Sequence, residues 1–265
     1  MNKETLEHNK FLEIEKEFHD NYANKLDWDT PLEERLSYDT ESISHAKIEQ
    51  RFVKMLGSVK GKRVLDIGSG FGNAALNLAQ KGAIVTSIDI SPNLIKGCNY
   101  RAEKNGLDVD FRVMDAQNLE FEDNTFDIIL GYRTIHHLQD INAFLLSANR
   151  CLKSGGFVLF VEPQKHNPFV EFGRIFIRNS YKDDRTPTEH PLVPSDLRLM
   201  RKIFGNMEKD EYLFLSSACQ IFSIKGYKTL FRITDRIFTP IDSLLWYLPF
   251  LRPLYWQVLV KCHKK

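Results

Sequence analysis

The stretch Val64-Leu-Asp-Ile-Gly-Ser-Gly-Phe-Gly-Asn73 decides the fold of this chain. An apolar strand at Arg63–Ile67 runs into a turn with glycine at positions 68, 70 and 72, and residues with helical spacing follow. Glycine tolerates positive φ and allows a ligand to lie against the backbone. In an open α/β sheet, the first strand-to-helix turn borders the crevice at the carboxyl ends of the strands. We therefore expect this turn to bind a ligand.

The turn does not match the common phosphate-binding motifs. A dinucleotide-binding fingerprint requires a third glycine or alanine where this chain has Asn73, and no G-x-x-x-x-G-K-[ST] loop is present. Asp66, at the end of the preceding strand, suits a ligand that carries an ammonium group better than one that carries a pyrophosphate.

Strands and helices alternate from this turn as far as Pro163. The pattern predicts further strands at Ile84–Asp89, Val109–Met114, Phe126–Gly131 and Phe157–Glu162, and helices at Asn73–Lys81, Pro92–Asn105 and Ile141–Leu152, where a Ser-Gly-Gly sequence stops the helix. This alternation is typical of a parallel sheet with helices on both faces.

After Pro163 the rhythm changes. We predict a helix at Ser195–Phe204, a strand or strand pair within Glu211–Phe222, and a last strand at Trp256–Cys262. Three prolines within Thr229–Trp256 argue against one continuous amphipathic helix there. The predicted organisation is an N-terminal helical lid or extension over residues 1–60, an α/β core over 61–163, and an acceptor-binding insertion with the closing strands over 164–265.

Composition limits the function classes. The 265 residues are 43% hydrophobic and 27% charged, as in an ordinary globular protein, and the net charge of +1 gives no general reason to expect nucleic-acid binding. Four cysteines without a CxxC pair argue against a zinc knuckle or a disulfide scaffold. No secretory signal is visible in MNKETLEHNKF, so a cytoplasmic location is expected.

Charge is distributed unevenly along the chain. Residues 1–45 hold 12 acids and 5 bases, whereas residues 225–265 hold 8 bases and 2 acids. These segments could be solvated faces that pack together, or the basic, apolar C-terminal region could meet an acidic partner or a membrane surface.

Acids also follow the second and third strands. Asp89 lies about 20 residues after the glycines, where an acid can accept hydrogen bonds from both ribose hydroxyls of an adenosine; alternatively it caps the next helix, although Ser91 could do so equally well. Asp115 and Ala116 follow the third strand. The Asp115 carboxylate could accept from an adenine amino group, with Ile90 over the ring, or it could form an Asx turn.

Five motifs occur in order between Val64 and Pro163: VLDIGSGFGN, SIDIS, MDAQNL, FDIILGYRTIHHL and LKSGGFVLFVEP. Together they resemble the ordered motifs of class I S-adenosylmethionine-dependent methyltransferases, and most closely the bacterial small-molecule enzymes with a type 11-like methyltransferase domain. The resemblance implies a Rossmann-like, doubly wound sheet of seven strands whose last strand is antiparallel. It also implies S-adenosylmethionine as the cofactor, but it says little about the acceptor.

The resemblance assigns the cofactor contacts residue by residue. It places Asp66, Gly68 and Gly70 at the methionine portion, Asp89 at the ribose, Ile90, Asp115 and Ala116 at the adenine, and Gly131 and Tyr132 near the sulfonium. Ser69, in the same turn, stands where many relatives have cysteine, which is a tolerated departure. Tyr22 lies where family members often close a lid over the cofactor.

A hydroxyl acceptor usually needs a base, whereas a carboxylate acceptor does not. His136 and His137 follow the fourth strand, and Glu162 ends the neighbouring strand, from which it could orient His136. In the small-molecule O-methyltransferases that this chain resembles, a histidine and a carboxylate at these places form the deprotonating pair. The tandem histidines could instead only cap and pack, and His166 is a third candidate. No metal site is predicted, because no His/Asp/Glu set has ligand spacing along the sequence.

We therefore predict a methyltransferase that acts on a hydroxyl or carboxyl oxygen of an amphipathic small molecule, such as a natural product or a peptide-like or lipid-like acceptor. The many aromatic residues after Pro163 could line a pocket for such an acceptor or could simply form core. The alternatives are methylation of nitrogen or carbon on the same fold, and a cofactor-binding module without chemistry.

Overall fold

Seven strands form one sheet in this protein. The computed structural model describes residues 3–33, 42–177, 186 and 188–265. The strands are β1 (Arg63–Ile67), β2 (Ile84–Asp89), β3 (Asp110–Val113), β4 (Phe126–Tyr132), β5 (Leu152–Pro163), β6 (Met207–Tyr212) and β7 (Gln257–His263). Their order across the sheet is β3-β2-β1-β4-β5-β7-β6. The first five strands are parallel, and β7 runs antiparallel to both β5 and β6, which confirms the predicted topology.

Helices cover both faces of the sheet. They are α1 (Lys3–Ala23), α2 (Ile43–Leu56), α3 (Asn73–Gln80), α4 (Pro92–Asn105), α5 (Ile141–Cys151), α6 (Pro168–Ile177), α7 (Pro194–Phe204), α8 (Gln220–Ile224) and α9 (Lys228–Leu245). Side chains alternate between the faces along each strand: Leu65 belongs to the core layer that includes residues of α5 and α7, and Val64 belongs to the layer that includes residues of α2, α3 and α4. Among the described residues, no helix is both long and apolar enough to cross a membrane.

The N-terminal segment is attached to the glycine turn and to α4. Asp20, near the end of α1, accepts hydrogen bonds from Ser91 Oγ at 2.5 Å and Asn93 N at 3.3 Å. The buried Arg101 of α4 donates to the carbonyl oxygens of Phe71 and Thr30 at 2.6 and 3.3 Å. These contacts place α1 and the loop after it beside the carboxyl ends of the strands.

The structure corrects two predicted boundaries. The Ser-Gly-Gly sequence lies inside β5, which begins at Leu152, and the pairing of β4 with β5 shifts register between Phe126 and Ile128. The predicted strand pair within Glu211–Phe222 is wrong, because β6 ends at Tyr212 and a helical turn follows. Asp242 turns the chain there by accepting hydrogen bonds from the backbone N–H groups of residues 214, 215 and 216 at 2.8–3.1 Å.

The structure also corrects the prediction for the segment that forms α9. It continues through Pro240, where the sequence predicted an interruption. A proline inside a helix costs about 3 kcal/mol or more. The buried carboxylates of Asp235 and Asp242, on either side of Pro240, accept hydrogen bonds from α2 and from the loop after β6, so tertiary contacts hold both halves of the helix in place.

Candidate active site

A cavity of about 1170 Å³ opens at the carboxyl ends of β1, β2 and β4. Its walls come from the glycine turn, the segments after β2, β3 and β4, and the inner face of α1. Ligand pockets usually measure about 300–1,000 Å³. The cavity therefore lies just above the upper end of this range.

The structure brings most of the predicted cofactor residues together in this cavity. Those that line it are Tyr22, Asp66, Gly68, Ser69, Gly70, Asp89, Ile90, Asp115, Ala116 and Tyr132. Gly131 is buried in β4 and lies outside this lining. A Cβ atom on Gly131 would meet the Phe160 ring at 3.3 Å. Successive residues of a strand face opposite sides of the sheet, and it is the next residue, Tyr132, that lines the cavity.

The glycine turn is held by β2 and by the segment after β4. Gly68 N and Ser69 N donate to the Ile88 carbonyl at 2.8 and 3.0 Å. Gly68 has φ +78°, and a Cβ atom there would lie 2.5 Å from Thr134 Oγ1. At Gly70, by contrast, a Cβ atom would have no neighbour closer than 4.0 Å. The backbone at Gly70 therefore offers open space on the cavity side.

Two buried acids lie beside this turn. Asp66 accepts from Ser87 Oγ at 2.7 Å, and burial raises the pKa of Asp66 to about 7. Asp89 accepts from Gly70 N at 3.1 Å and Ser91 N at 3.0 Å, and burial raises its pKa although His19 opposes the shift. Buried carboxylates that line a cavity suit a ligand that brings a positive charge and hydroxyl donors.

Asp115 forms the Asx turn that the sequence left open as one alternative. Its Oδ1 accepts from Gln117 N at 2.9 Å, while its Oδ2 lies 3.3 Å from His8 Nε2 of α1. The neighbouring Ala116 is buried and lines the cavity. The Asx turn does not remove Asp115 from the cavity wall.

Glu162 organises the turn after β4. Its Oε1 accepts from Thr134 N and Ile135 N at 2.9 and 2.8 Å, and its Oε2 lies 2.7 Å from His136 Nδ1. Because β4 and β5 pair in parallel up to Tyr132 and Val161, the next residue of β5 lies directly under this turn. Glu162 is therefore close enough to His136 to orient its ring, as the sequence predicted.

The protonation of this pair follows from its burial. Burial raises the pKa of Glu162 to about 7 and lowers the pKa of His136 well below its ordinary value. The imidazole is therefore neutral near pH 7. Where Glu162 is ionised it can only accept a hydrogen bond, so Nδ1 of the neutral ring then carries the hydrogen. Nε2 is then the nitrogen that carries the lone pair, and His136 lines the cavity. The third candidate, His166, is exposed and lies outside the cavity lining.

A second cluster was missed in the sequence. Glu15 Oε2 lies 3.3 Å from His137 Nδ1 and 3.4 Å from His19 Nε2, and Thr188 Oγ1 donates to Glu15 Oε1. Burial opposes the ionisation of Glu15, but the two imidazoles hold its pKa below the ordinary value. The spacing of Glu15 and His19, four residues apart on one helix face, was a usable signal. Their contact with His137 could not be predicted from the sequence, because it depends on how α1 packs.

The structure also brings together histidine and carboxylate side chains that are far apart in the sequence. Donor atoms of Glu15, His19 and His137 lie within 4.8 Å of one another, and so do those of His136, His137 and Glu189. These sets join α1, the turn after β4 and the loop before α7, so distance along the sequence could not reveal them.

Known proteins share this fold and these motifs. A family model described as a methyltransferase domain matches residues 65–160. Demethylmenaquinone methyltransferase of Tropheryma whipplei (strain Twist) is 36% identical over 171 residues, which cover 63% of this chain and 69% of that protein. Ubiquinone biosynthesis O-methyltransferase of Bordetella avium (strain 197N) is 28% identical over 182 residues, which cover 65% of this chain and 74% of that protein.

A solved structure extends the likeness to nearly the whole chain. Geranyl diphosphate C-methyltransferase from Streptomyces coelicolor A3(2), in complex with Mg²⁺, geranyl diphosphate and S-adenosyl-L-homocysteine, superposes with a TM-score of 0.58 at 12% identity, over 94% of this chain and 98% of that one. Combined with the glycine turn and the cavity at the strand ends, these findings show that the chain belongs to the class I methyltransferases and that S-adenosylmethionine is its cofactor.

Proposed function

We propose that this enzyme transfers the methyl group to a hydroxyl oxygen of a small amphipathic acceptor with an apolar body. The observation that carries the proposal is the buried His136–Glu162 pair, at 2.7 Å, in the wall of the cavity. A hydroxyl must lose a proton when it is methylated, and a neutral imidazole backed by a carboxylate is suited to take it. The name of the Bordetella avium relative, an O-methyltransferase, agrees with this choice.

The residues at the glycine turn fit the cofactor. The open space at Gly70 allows the methionine portion to lie against the backbone, and Asp66 would face its ammonium group. Asp89 would accept from the ribose hydroxyls, while Ile90 and Ala116 would enclose the adenine. When bound, the cofactor supplies a methyl group on a positively charged sulfur.

His136 would act on the acceptor through Nε2. This nitrogen takes the hydroxyl proton as the oxygen–methyl bond forms and the methyl–sulfur bond breaks. The imidazole then carries a positive charge, which Glu162 stabilises through the Nδ1–H hydrogen bond. The proton passes to water after the product leaves, which restores the neutral ring.

The helix α1 would act as a cover over the reacting groups. Phe11, Leu12 and Phe18 give the cavity an apolar wall, and Tyr22 lies at its edge with 38% of its surface exposed. Excluding water strengthens electrostatic interactions inside a site and prevents side reactions. The apolar wall also supports an acceptor with a bulky apolar part.

The pKa of Asp66 predicts how cofactor affinity depends on pH. Asp66 is protonated below about pH 7 and must ionise to pair with an ammonium group. We expect the dissociation constant of S-adenosylhomocysteine to be about eightfold larger at pH 6 than at pH 7.5, where α-amino groups are still largely protonated. Isothermal titration calorimetry between pH 6 and 7.5 measures this dissociation constant. Asp66→Asn should bind weakly with a smaller slope, which remains because burial also raises the pKa of Asp89; a wild-type affinity independent of pH would contradict the role of Asp66.

The oxygen specificity can be tested with matched acceptors. The protein is incubated with S-adenosylmethionine and phenols or catechols that carry a prenyl chain, and S-adenosylhomocysteine is measured together with product NMR. We expect turnover to an O-methyl product. The corresponding anilines and methyl ethers, which lack the hydroxyl, should give no turnover. An N-methyl or C-methyl product, or turnover of a blocked ether, would refute the assignment.

A further inference from the structure

The helix α9 buries polar residues and exposes apolar ones. Phe231, Asp235, Thr239 and Asp242 form its buried face. The opposite face carries an apolar stripe, which continues one turn beyond the helix and consists of Leu230, Ile233, Ile237, Ile241, Leu244 and Leu248. Ile237 is 54% exposed and Leu244 is 71% exposed, although a helix of a globular protein normally turns its apolar face to the core.

Buried hydrogen bonds prevent the helix from rolling over. Asp235, which is 1% exposed, accepts from Ile43 N at 2.6 Å and from Ser44 Oγ at 3.3 Å. Asp242 accepts from the backbone N–H groups of residues 214–216. Rotation of α9 would carry both carboxylates away and leave these buried donors without acceptors, which is costly. The apolar stripe is therefore a fixed part of the molecular surface.

Within residues 225–265, the exposed charged side chains are all basic. Asp235 and Asp242 are the only acids between residues 225 and 265, and both are buried. Arg236 is exposed and lies on one flank of the stripe, roughly 100° from Ile237 at 3.6 residues per turn. Its long side chain can extend to a polar surface beside the stripe.

Aromatic side chains mark both ends of the stripe. Tyr227 precedes α9, and Tyr247 and Phe250 follow it; these three side chains are 59–73% exposed. Aromatic rings with one apolar and one wet side are favoured at the boundary between water and lipid.

From these observations we propose that the stripe docks on an anionic lipid bilayer, with α9 lying in the plane of the surface. An apolar helix face that is flanked by Arg236 and lies in a segment, residues 225–265, with bases but no exposed acidic side chain is complementary to a negatively charged membrane. A second copy of the same face would bring like charges together, which disfavours self-association through it. The proposal does not depend on which acceptor atom is methylated.

Docking would also orient the active site. The buried face of α9 packs on the start of α2, through Ser44 Oγ and Thr239 Oγ1 at 2.7 Å, and the next residue, His45, lines the cavity. The helix on the bilayer is thus rigidly joined to the cavity wall. An acceptor with an apolar chain would then be taken up at the surface where it is dissolved.

Vesicle co-sedimentation tests the proposal. The full-length protein is mixed with vesicles of phosphatidylcholine containing phosphatidylglycerol, or with vesicles of phosphatidylcholine alone. We expect binding to the anionic vesicles that weakens with salt, and little binding to the neutral ones. The double substitution Ile237→Glu/Leu244→Glu should weaken binding by about tenfold or more, and Arg236→Gln by about fivefold.

Matched controls separate docking from unfolding and from general stickiness. Val53→Glu/Leu146→Glu places the same charges on exposed apolar positions of α2 and α5 and should bind vesicles like the wild type. Circular dichroism should show the same melting temperature for both double variants. The proposal fails if the wild type binds neither vesicle, if it binds both equally, or if Ile237→Glu/Leu244→Glu binds as well as the control. It also fails if the wild type is a stable dimer that this variant converts to a monomer.

Discussion

The substitution Gly68→Ala should weaken the binding of S-adenosylhomocysteine by about 5- to 150-fold. Its Cβ atom would lie 2.5 Å from Thr134 Oγ1, so the turn and the segment after β4 must separate. Overpacking of this kind costs about 1–3 kcal/mol, and here the strain falls on the backbone that receives the cofactor. Isothermal titration calorimetry measures the effect directly.

Gly61→Ala is the matched control for this experiment. Gly61 has φ +73°, close to the +78° of Gly68, but a Cβ atom there would have no neighbour within 4 Å. Both variants therefore place a side chain at a similar positive φ, and only Gly68→Ala carries the clash. Equal losses in the two variants would mean that strain, not packing at the cofactor turn, controls the affinity. An unchanged affinity in Gly68→Ala would contradict the assignment of the turn.

The substitution His136→Asn should lower kcat with a hydroxyl acceptor by about 10²- to 10⁴-fold, the usual contribution of a general base. Cofactor affinity should remain, because the proposed cofactor contacts lie on other elements. The residual rate should rise with pH, since the variant depends on acceptor molecules that have already lost their proton. Initial rates of S-adenosylhomocysteine release between pH 6 and 9 measure both effects.

His166→Asn serves as the control for the loss of an imidazole. His166 is exposed and has φ +82°, a conformation that asparagine tolerates. Its kcat should match the wild type. A loss of less than about twofold in His136→Asn would refute the role of His136 as the base, and a large loss in His166→Asn would move that role to the loop after β5.

The core between Arg63 and Pro163 could be predicted from the sequence because its signals are local. Each strand is a short apolar run, each helix has its own start and stop residues, and acids such as Asp89 stand at strand ends. Parallel strands gather these ends at one edge, so separate local signals point to one site. The Glu162–His136 contact followed from the same rule.

Features that depend on packing could not be predicted. Periodicity shows which residues of α9 share a face, but it does not show which face is buried, and here the buried face is the polar one. The prolines suggested a break at Pro240, whereas hydrogen bonds from distant segments maintain the helix. Glu15 and His19 likewise reach the cavity only because α1 packs beside the strand ends.

The strand order has a consequence for biosynthesis. β6 pairs only with β7 in the described sheet, yet β7 begins about 45 residues later in the chain. At about 5–20 residues per second, a ribosome leaves β6 without its neighbour for roughly 2–9 s. During this interval β5 also lacks its antiparallel partner, so one edge of β5 and both edges of β6 are open to chaperones or other unfinished chains.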